Sequence, residues 1–289
     1  MKWNRIKSFM LALLLLVNIF FIYMLSTLDN PTYDNSDYLN AQKILKESGI
    51  EIDTELLKTN INESFVYYQE IYGNYNNDVC SIFLKGKNIN SYSVPGGRIY
   101  VSDTNENLFV GNNNEIRYTS LPETDPLSFD AYDSIPDNEK KELENKISGL
   151  LFGDDEKSLS LSVIGISSNQ DISTVKISET VNEHFIDSYE AVIQLKDNDI
   201  ISFDGKWCFL NDFEQNKEPY YDTVNIMFIE KNNVIENQDQ SSEDIYRVKG
   251  LEQCYKAIIT PDNRIYLIPS VKIDYENGKS SLVEIIKND

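Results

Sequence analysis

Residues 159–166 (LSLSVIGI), 173–177 (STVKI), 185–195 (FIDSYEAVIQL) and 200–209 (IISFDGKWCF) decide the fold class. Each is rich in β-branched and aromatic residues and bounded by Ser, Asn, Asp or Gly, the composition of strands between turns. The KDND stretch at 196–199 joins the last two as a hairpin. Ahead of them, Asp137 opens a helix in which Leu143, Ile147, Leu150 and Leu151 share one buried face, with Gly153 at its end. Beyond them, Asp222 is placed to cap a second helix through TVNIMFIEKNN (223–233). The chain then returns to strands: IYRVKG (245–250), CYKAIIT (254–260), RIYLIPSVKIDY (264–275) and SSLVEII (280–286). Helix, strands, helix, strands is the order of an α+β unit, repeated in pattern rather than in residue identity.

Working toward the N-terminus, the polar stretch from Leu121 to Ile135, with Pro122, Pro126 and the following Pro136, reads as a domain boundary. Before it, Val79 to Ser120 has a β pattern: VCSIFL (79–84), RIYVSD (98–103), NLFVG (107–111) and EIRYTS (115–120). Asn105, Gly111 and Asn112–Asn114 suit the turns between them. Ser36 is placed to cap a helix with Leu39, Ile44 and Leu45 as its apolar face and Gly49 as its left-handed end. Ile50 and Ile52 then alternate with acids as in a short strand. The expected fold is α+β: a linker at 29–35, an N-terminal lobe at 36–133 and a C-terminal lobe at 134–289, with antiparallel sheets packed with a few helices.

Phe9 to Leu28 (FMLALLLLVNIFFIYMLSTL) is of another kind. Seventeen of its twenty residues are apolar and none is charged. At about 1.5 Å per residue the run spans about 30 Å, the thickness of a bilayer's hydrocarbon core, and it lacks the polar stripe of a core helix. Lys2, Arg5 and Lys7 precede it and Asp29, Asp34 and Asp37 follow. The basic flank places residues 1–8 in the cytoplasm as a short stub and residue 29 onward outside. Trp3 fits a membrane-interface anchor. A cleaved signal would carry a shorter apolar region and small residues at its end, whereas this run ends Leu25-Ser26-Thr27-Leu28-Asp29. Asn18 is the strongly polar residue in mid-run, and a hydrogen bond to a partner's membrane helix would satisfy its amide.

The chain has 47 acidic and 26 basic residues, a formal charge of −21. Three of those cations and no acid precede residue 29, which leaves 23 cations against 47 acids outside the membrane, a charge of −24. Such a surface excludes nucleic acid, which needs clustered Lys and Arg, and does not lie flat on anionic lipid. Acidity of this kind serves solubility, a basic partner surface or loosely held divalent cations. Cys80, Cys208 and Cys254 form no C-x-x-C pair, and an odd count leaves one thiol free within a single chain. A Cys208–Cys254 bridge and buried reduced thiols are the two readings of the remainder.

No G-x-S-x-G, H-E-x-x-H, P-loop or G-x-G-x-x-G motif occurs. His184, the single histidine, enters a strand in NEHFIDSYE and reads as structural. The acidic runs Asp154-Asp155-Glu156 and Asp239 to Asp244 (DQSSED) do not match a calcium loop. Tyr100, Phe109, Tyr118, Phe203 and Tyr266 fall at strand positions and read as sheet packing rather than a carbohydrate-stacking surface. No catalytic, cofactor or metal residue is expected.

The opening Met1-Lys2-Trp3-Asn4-Arg5-Ile6-Lys7, running straight into the apolar helix, resembles the start of the YycH/YycI family of Gram-positive bacteria. The closing IYLIPSVKIDYENGKSSLVEI (265–285) is similar to that family's end, with Pro269 and Ile273 kept and Val271 where the family usually has Trp. The resemblance, closest to the shorter YycI-like members, covers the two ends and extends to the middle only as pattern. It implies a non-enzymatic regulator at the cell membrane, single-pass with an extracellular ectodomain. Its implied partners are a sensor histidine kinase of the WalK (YycG) type, which acts in cell-wall signalling, and a YycH-like sister protein. Read without the resemblance, the chain also fits a tethered exported binding or inhibitory module, or a wall-active hydrolase using two acids.

Overall fold

Asp34 starts helix α1 (Asn35–Glu47) by accepting from the backbone N–H groups of Ser36 and Asp37 at 2.7 and 3.0 Å. The Asp37 side chain accepts in return from the Asp34 N–H at 2.9 Å, closing a capping box. The cap expected at Ser36 therefore lies two residues earlier. A carboxylate accepts both amide donors, and the Ser36 hydroxyl also donates to it. Gly49 takes a φ of 84° just past the end, as expected. The buried face is Ala41 and Leu45, whereas Leu39 and Ile44 face outward.

These elements belong to a computed structural model that describes residues 10, 13–20, 33–61, 65–70, 75–120, 136–152, 160–169, 171–197, 199–208, 214–237, 245–260 and 264–287. After α1 come β1 (Ile50–Glu51), α2 (Thr54–Leu57), β2 (Phe65–Glu70) and α3 (Tyr75–Phe83). The VCSIFL segment, expected to be a strand, lies mostly in α3. Val79, Cys80, Phe83 and Leu84 bury one side at a spacing of one, three and one, which is a helical period. A four-strand meander follows: β3 (Ile89–Val94), β4 (Gly97–Ser102), β5 (Asn107–Gly111) and β6 (Glu115–Thr119). Asn105 and Asn114, at φ 63° and 61°, occupy turn positions where the sequence placed them.

Helix α4 (Asp137–Phe152) buries Ile147 and Leu151 and leads into β7 (Ser160–Asn169), β8 (Ile172–Val181), β9 (His184–Lys196) and β10 (Asp199–Lys206), successive antiparallel strands. Then come β11 (Glu214–Lys217), α5 (Thr223–Asn237), β12 (Tyr246–Ile259), β13 (Arg264–Tyr275) and β14 (Ser280–Glu284). Strand β12 runs unbroken through two segments expected separately. A bulge between Val248 and Gly250 absorbs the interruption in their alternation.

All these strands join in one mixed sheet with the main path β11-β2-β13-β12-β9-β10-β6-β5-β4-β3. Pairing crosses the boundary expected near residue 133: β1 lies parallel to β12, β2 antiparallel to β13, and β6 antiparallel to β10. One apolar cluster lies between α3, α4 and the β4–β10 region, and another between α1, α5 and β12–β14. The third sits at the joint and contains Tyr67, Ile186, Tyr189, Tyr255 and Leu267. At that joint β9 bulges away from β8, with Ser188 at φ 65°, so that Ile186 and Asp187 pair with Tyr255 and Lys256 of β12. Glu179, wholly buried opposite the bulge, accepts from the Cys208 backbone N–H at 2.7 Å.

Of the apolar run at 9–28, residue 10 and residues 13–20 are described. They are helical, and Leu13, Leu14, Leu15, Leu16, Ile19 and Phe20 are exposed. Among the described residues no helix is long and apolar enough to cross a membrane. The rest of the run, and Trp3, lie outside them.

Candidate functional site

Four chain segments that are far apart in sequence, 33–38, 57–61, 217–224 and 285–287, meet at the start of α1. The chain end runs back along residues 219–221: the Lys287 N–H donates to the Pro219 carbonyl at 3.0 Å and the Tyr221 N–H to the Ile285 carbonyl at 2.7 Å. Asp222 then caps α5, accepting from the Asn225 N–H at 2.9 Å and its side-chain amide at 2.8 Å. The next residue, Thr223, donates its hydroxyl to the Thr59 carbonyl at 2.5 Å, which ties the α2 turn to the start of α5. From the other side the Tyr33 hydroxyl donates to Asp222 at 3.1 Å, and the Tyr33 and Tyr38 rings pack at 5.5 Å.

Between these segments lies a cleft of about 550 Å³. Tyr33, Tyr38 and Tyr220 supply aromatic walls, and Lys58, Lys217 and Lys287 bring amines from three separate segments. Of fifteen lining residues three are cationic and two, Glu218 and Asp222, are acidic, the reverse of the chain's 26 to 47. Asp222 is engaged by Tyr33 and Asn225. Burial, and then the Asp222 carboxylate, push the Tyr33 phenol up to about 12, so it stays protonated and remains a donor. Lys58 pairs with exposed Glu55 at 2.7 Å, a contact of little energy in water, and Lys287 lies 5.8 Å from the centre of the Tyr221 ring.

A second hollow, of about 590 Å³, lies between α1 and β12. It also contains three cations, Lys43, Lys46 and Arg247, but three acids accompany them. Lys46 and Arg247 both bind Glu51, at 3.4 and 2.9 Å, and Arg247 also reaches Glu276 at 3.9 Å. Its cations and acids are equal in number, whereas cations outnumber acids beside Tyr33, so that cleft is the stronger candidate.

The residues singled out in the sequence lie elsewhere. Asn18 is exposed on the helical stretch 13–20, and Trp3 is outside the described residues. His184 packs its ring edge-on to Tyr255 at 6.3 Å at the sheet joint. The acidic runs at 154–156 and 239–244 lie outside the described residues. Among the described residues no group of three His, Cys, Asp or Glu could hold a metal ion, and the three thiols are free and buried. Tyr100, Tyr118 and Phe203 pack the sheet as expected. The tyrosines that line the cleft come from the linker, α1 and the loop before α5, where no local pattern marks them.

No family model matches the chain, and no curated protein matches it. A solved structure of an uncharacterized protein from Eubacterium rectale ATCC 33656 is similar at 13% identity and a TM-score of 0.43, covering 88% of this chain and 99% of that one.

Proposed function

We propose that this chain is a non-enzymatic regulatory protein, anchored in the cell membrane by residues 9–28, that modulates a WalK-type sensor histidine kinase through its membrane helix and an extracellular α+β ectodomain. It works beside a YycH-like sister protein. The observation that carries the reading is the uncharged apolar run behind Lys2, Arg5 and Lys7, with the family-like sequence at both ends of the chain. Packing between membrane helices depends on shape and on a few polar contacts, and the central Asn18 amide supplies one such contact to a partner helix. The ectodomain adds a surface that senses the wall or pairs with the sister protein.

The cleft beside Tyr33 favours a second reading, a tethered module that binds a ligand without a kinase partner. Purification of the tagged chain from detergent-solubilised membranes, with partners identified by mass spectrometry, separates the two. The regulatory reading expects a sensor kinase enriched over an untagged control. Recovery of the chain at normal abundance with no kinase would overturn it.

A further inference from the structure

We propose that the cleft beside Tyr33 binds a phosphate-bearing anion, either the headgroup of an anionic lipid or a soluble glycerol-phosphate unit. Three observations converge on it. Its volume, about 550 Å³, suits a small ligand. Its lining is cation-rich in a chain of net charge −21. The lysines come from three segments, just after α2, at the end of β11 and at residue 287, so amines approach from more than one side. A carboxylate offers two oxygens in one plane, whereas a phosphate offers acceptors in a tetrahedral array and is readily held by ammonium point charges. Of the two acids in the lining, Asp222 accepts from Tyr33 and Asn225, and the tie between Thr223 and Thr59 joins the α2 turn to the start of α5.

Position supports the same ligand, and this part of the argument rests on the anchor reading above. Tyr33 follows Leu28 by five residues, which span at most about 17 Å. The cleft wall therefore stands within reach of the headgroup layer, which extends about 5–8 Å beyond the hydrocarbon on each side.

The test uses the full chain purified in an uncharged maltoside detergent. It is titrated with dihexanoyl-phosphatidylglycerol and, separately, with glycerol 3-phosphate, followed by phosphorus NMR. Saturable binding of at least one probe is expected. An exposed charge pair shifts binding about twofold to fivefold, so the combined variant Lys58→Gln, Lys217→Gln, Lys287→Gln should weaken it by about tenfold or more. A control of equal charge change, Lys43→Gln, Lys46→Gln, Lys140→Gln, should bind as the unaltered chain does. If the cleft variant melts early, Asn60→Asp replaces it, adding a carboxylate to the cleft while sparing every lysine, and should weaken binding severalfold. Preference for the lipid assigns the headgroup, and equal binding of both probes assigns the soluble unit. No saturable binding of either probe, or equal binding by cleft variant and unaltered chain, overturns the proposal. The measurement contains no kinase, so failure here leaves kinase co-purification intact, and failure there leaves binding in micelles intact.

Discussion

Gly205→Ala places a methyl group where three strands meet. Gly205 lies in β10 opposite Ala191 of β9 on one side and Ile116 of β6 on the other. A Cβ at this position would stand 2.6 Å from the Ala191 Cβ, and closer still to the Glu190 carbonyl oxygen and the Ala191 Cα. Unstrained carbon contacts are about 3.5–4.0 Å, so β9 has to retreat by about 1 Å or more, and the neighbouring ladder hydrogen bonds lengthen. Overpacking costs about 1–3 kcal/mol and each weakened hydrogen bond about 1 kcal/mol, so with two bonds affected the total is about 3–5 kcal/mol. At about 2–4 °C per kcal/mol for a domain of this size, the melting midpoint should fall by about 6–20 °C. Near-ultraviolet circular dichroism of the full chain in detergent reads this directly, because buried tyrosines pack every core cluster. Gly149→Ala is the matched control: it lies in α4 with open space around its missing Cβ, and should raise the midpoint by about 2–4 °C through helix propensity. A Gly205→Ala midpoint within about 2 °C of the unaltered chain would refute the close approach of β9 and β10.

Glu106→Gln should lower stability at neutral pH, with the difference vanishing in acid. Burial raises this carboxyl's pKa, but Lys87, Ser102 and Thr104 outweigh it, holding the group below the usual 4.5. A depressed value stabilises the fold above pH 4.5 and loses that contribution as pH falls through the folded pKa, so the two melting curves should converge once the pH lies below that value. His184→Ala should leave in-cell function intact at equal folded abundance; a severe loss would reopen an enzymatic reading. Asn18→Leu should weaken kinase co-purification by about fivefold without abolishing it, since a pairing between membrane helices is worth about 1 kcal/mol. Unchanged recovery would remove Asn18 from the contact.

The hairpin of β9 and β10 and the cap at Asp222 were legible in sequence because each is decided within a dozen residues. The helix over Val79 to Phe83 was not, since a short apolar run fits either period until its neighbours are known. Nor were the partners of the strands: β2 beside β13 and β6 beside β10 are pairings across long separations, which no local pattern specifies. The cleft fails to show for the same reason. Tyr33, Lys58, Lys217 and Lys287 are ordinary surface residues in sequence, and they are brought together by long-range contacts: the chain end along Pro219 to Tyr221, Tyr33 on Asp222 and Thr223 on Thr59.

If residues 9–28 recognise a partner rather than merely hold the chain, the order of their side chains matters as well as their hydrophobicity. Scrambling the order of that run while keeping its composition preserves its hydrophobicity and destroys its packing surface. Kinase-dependent reporter output should be measured in cells carrying the scrambled chain, at equal membrane abundance. Regulation should be lost. Output equal to that of the unaltered chain would contradict it, leaving the helix as a tether and the function in the folded domain.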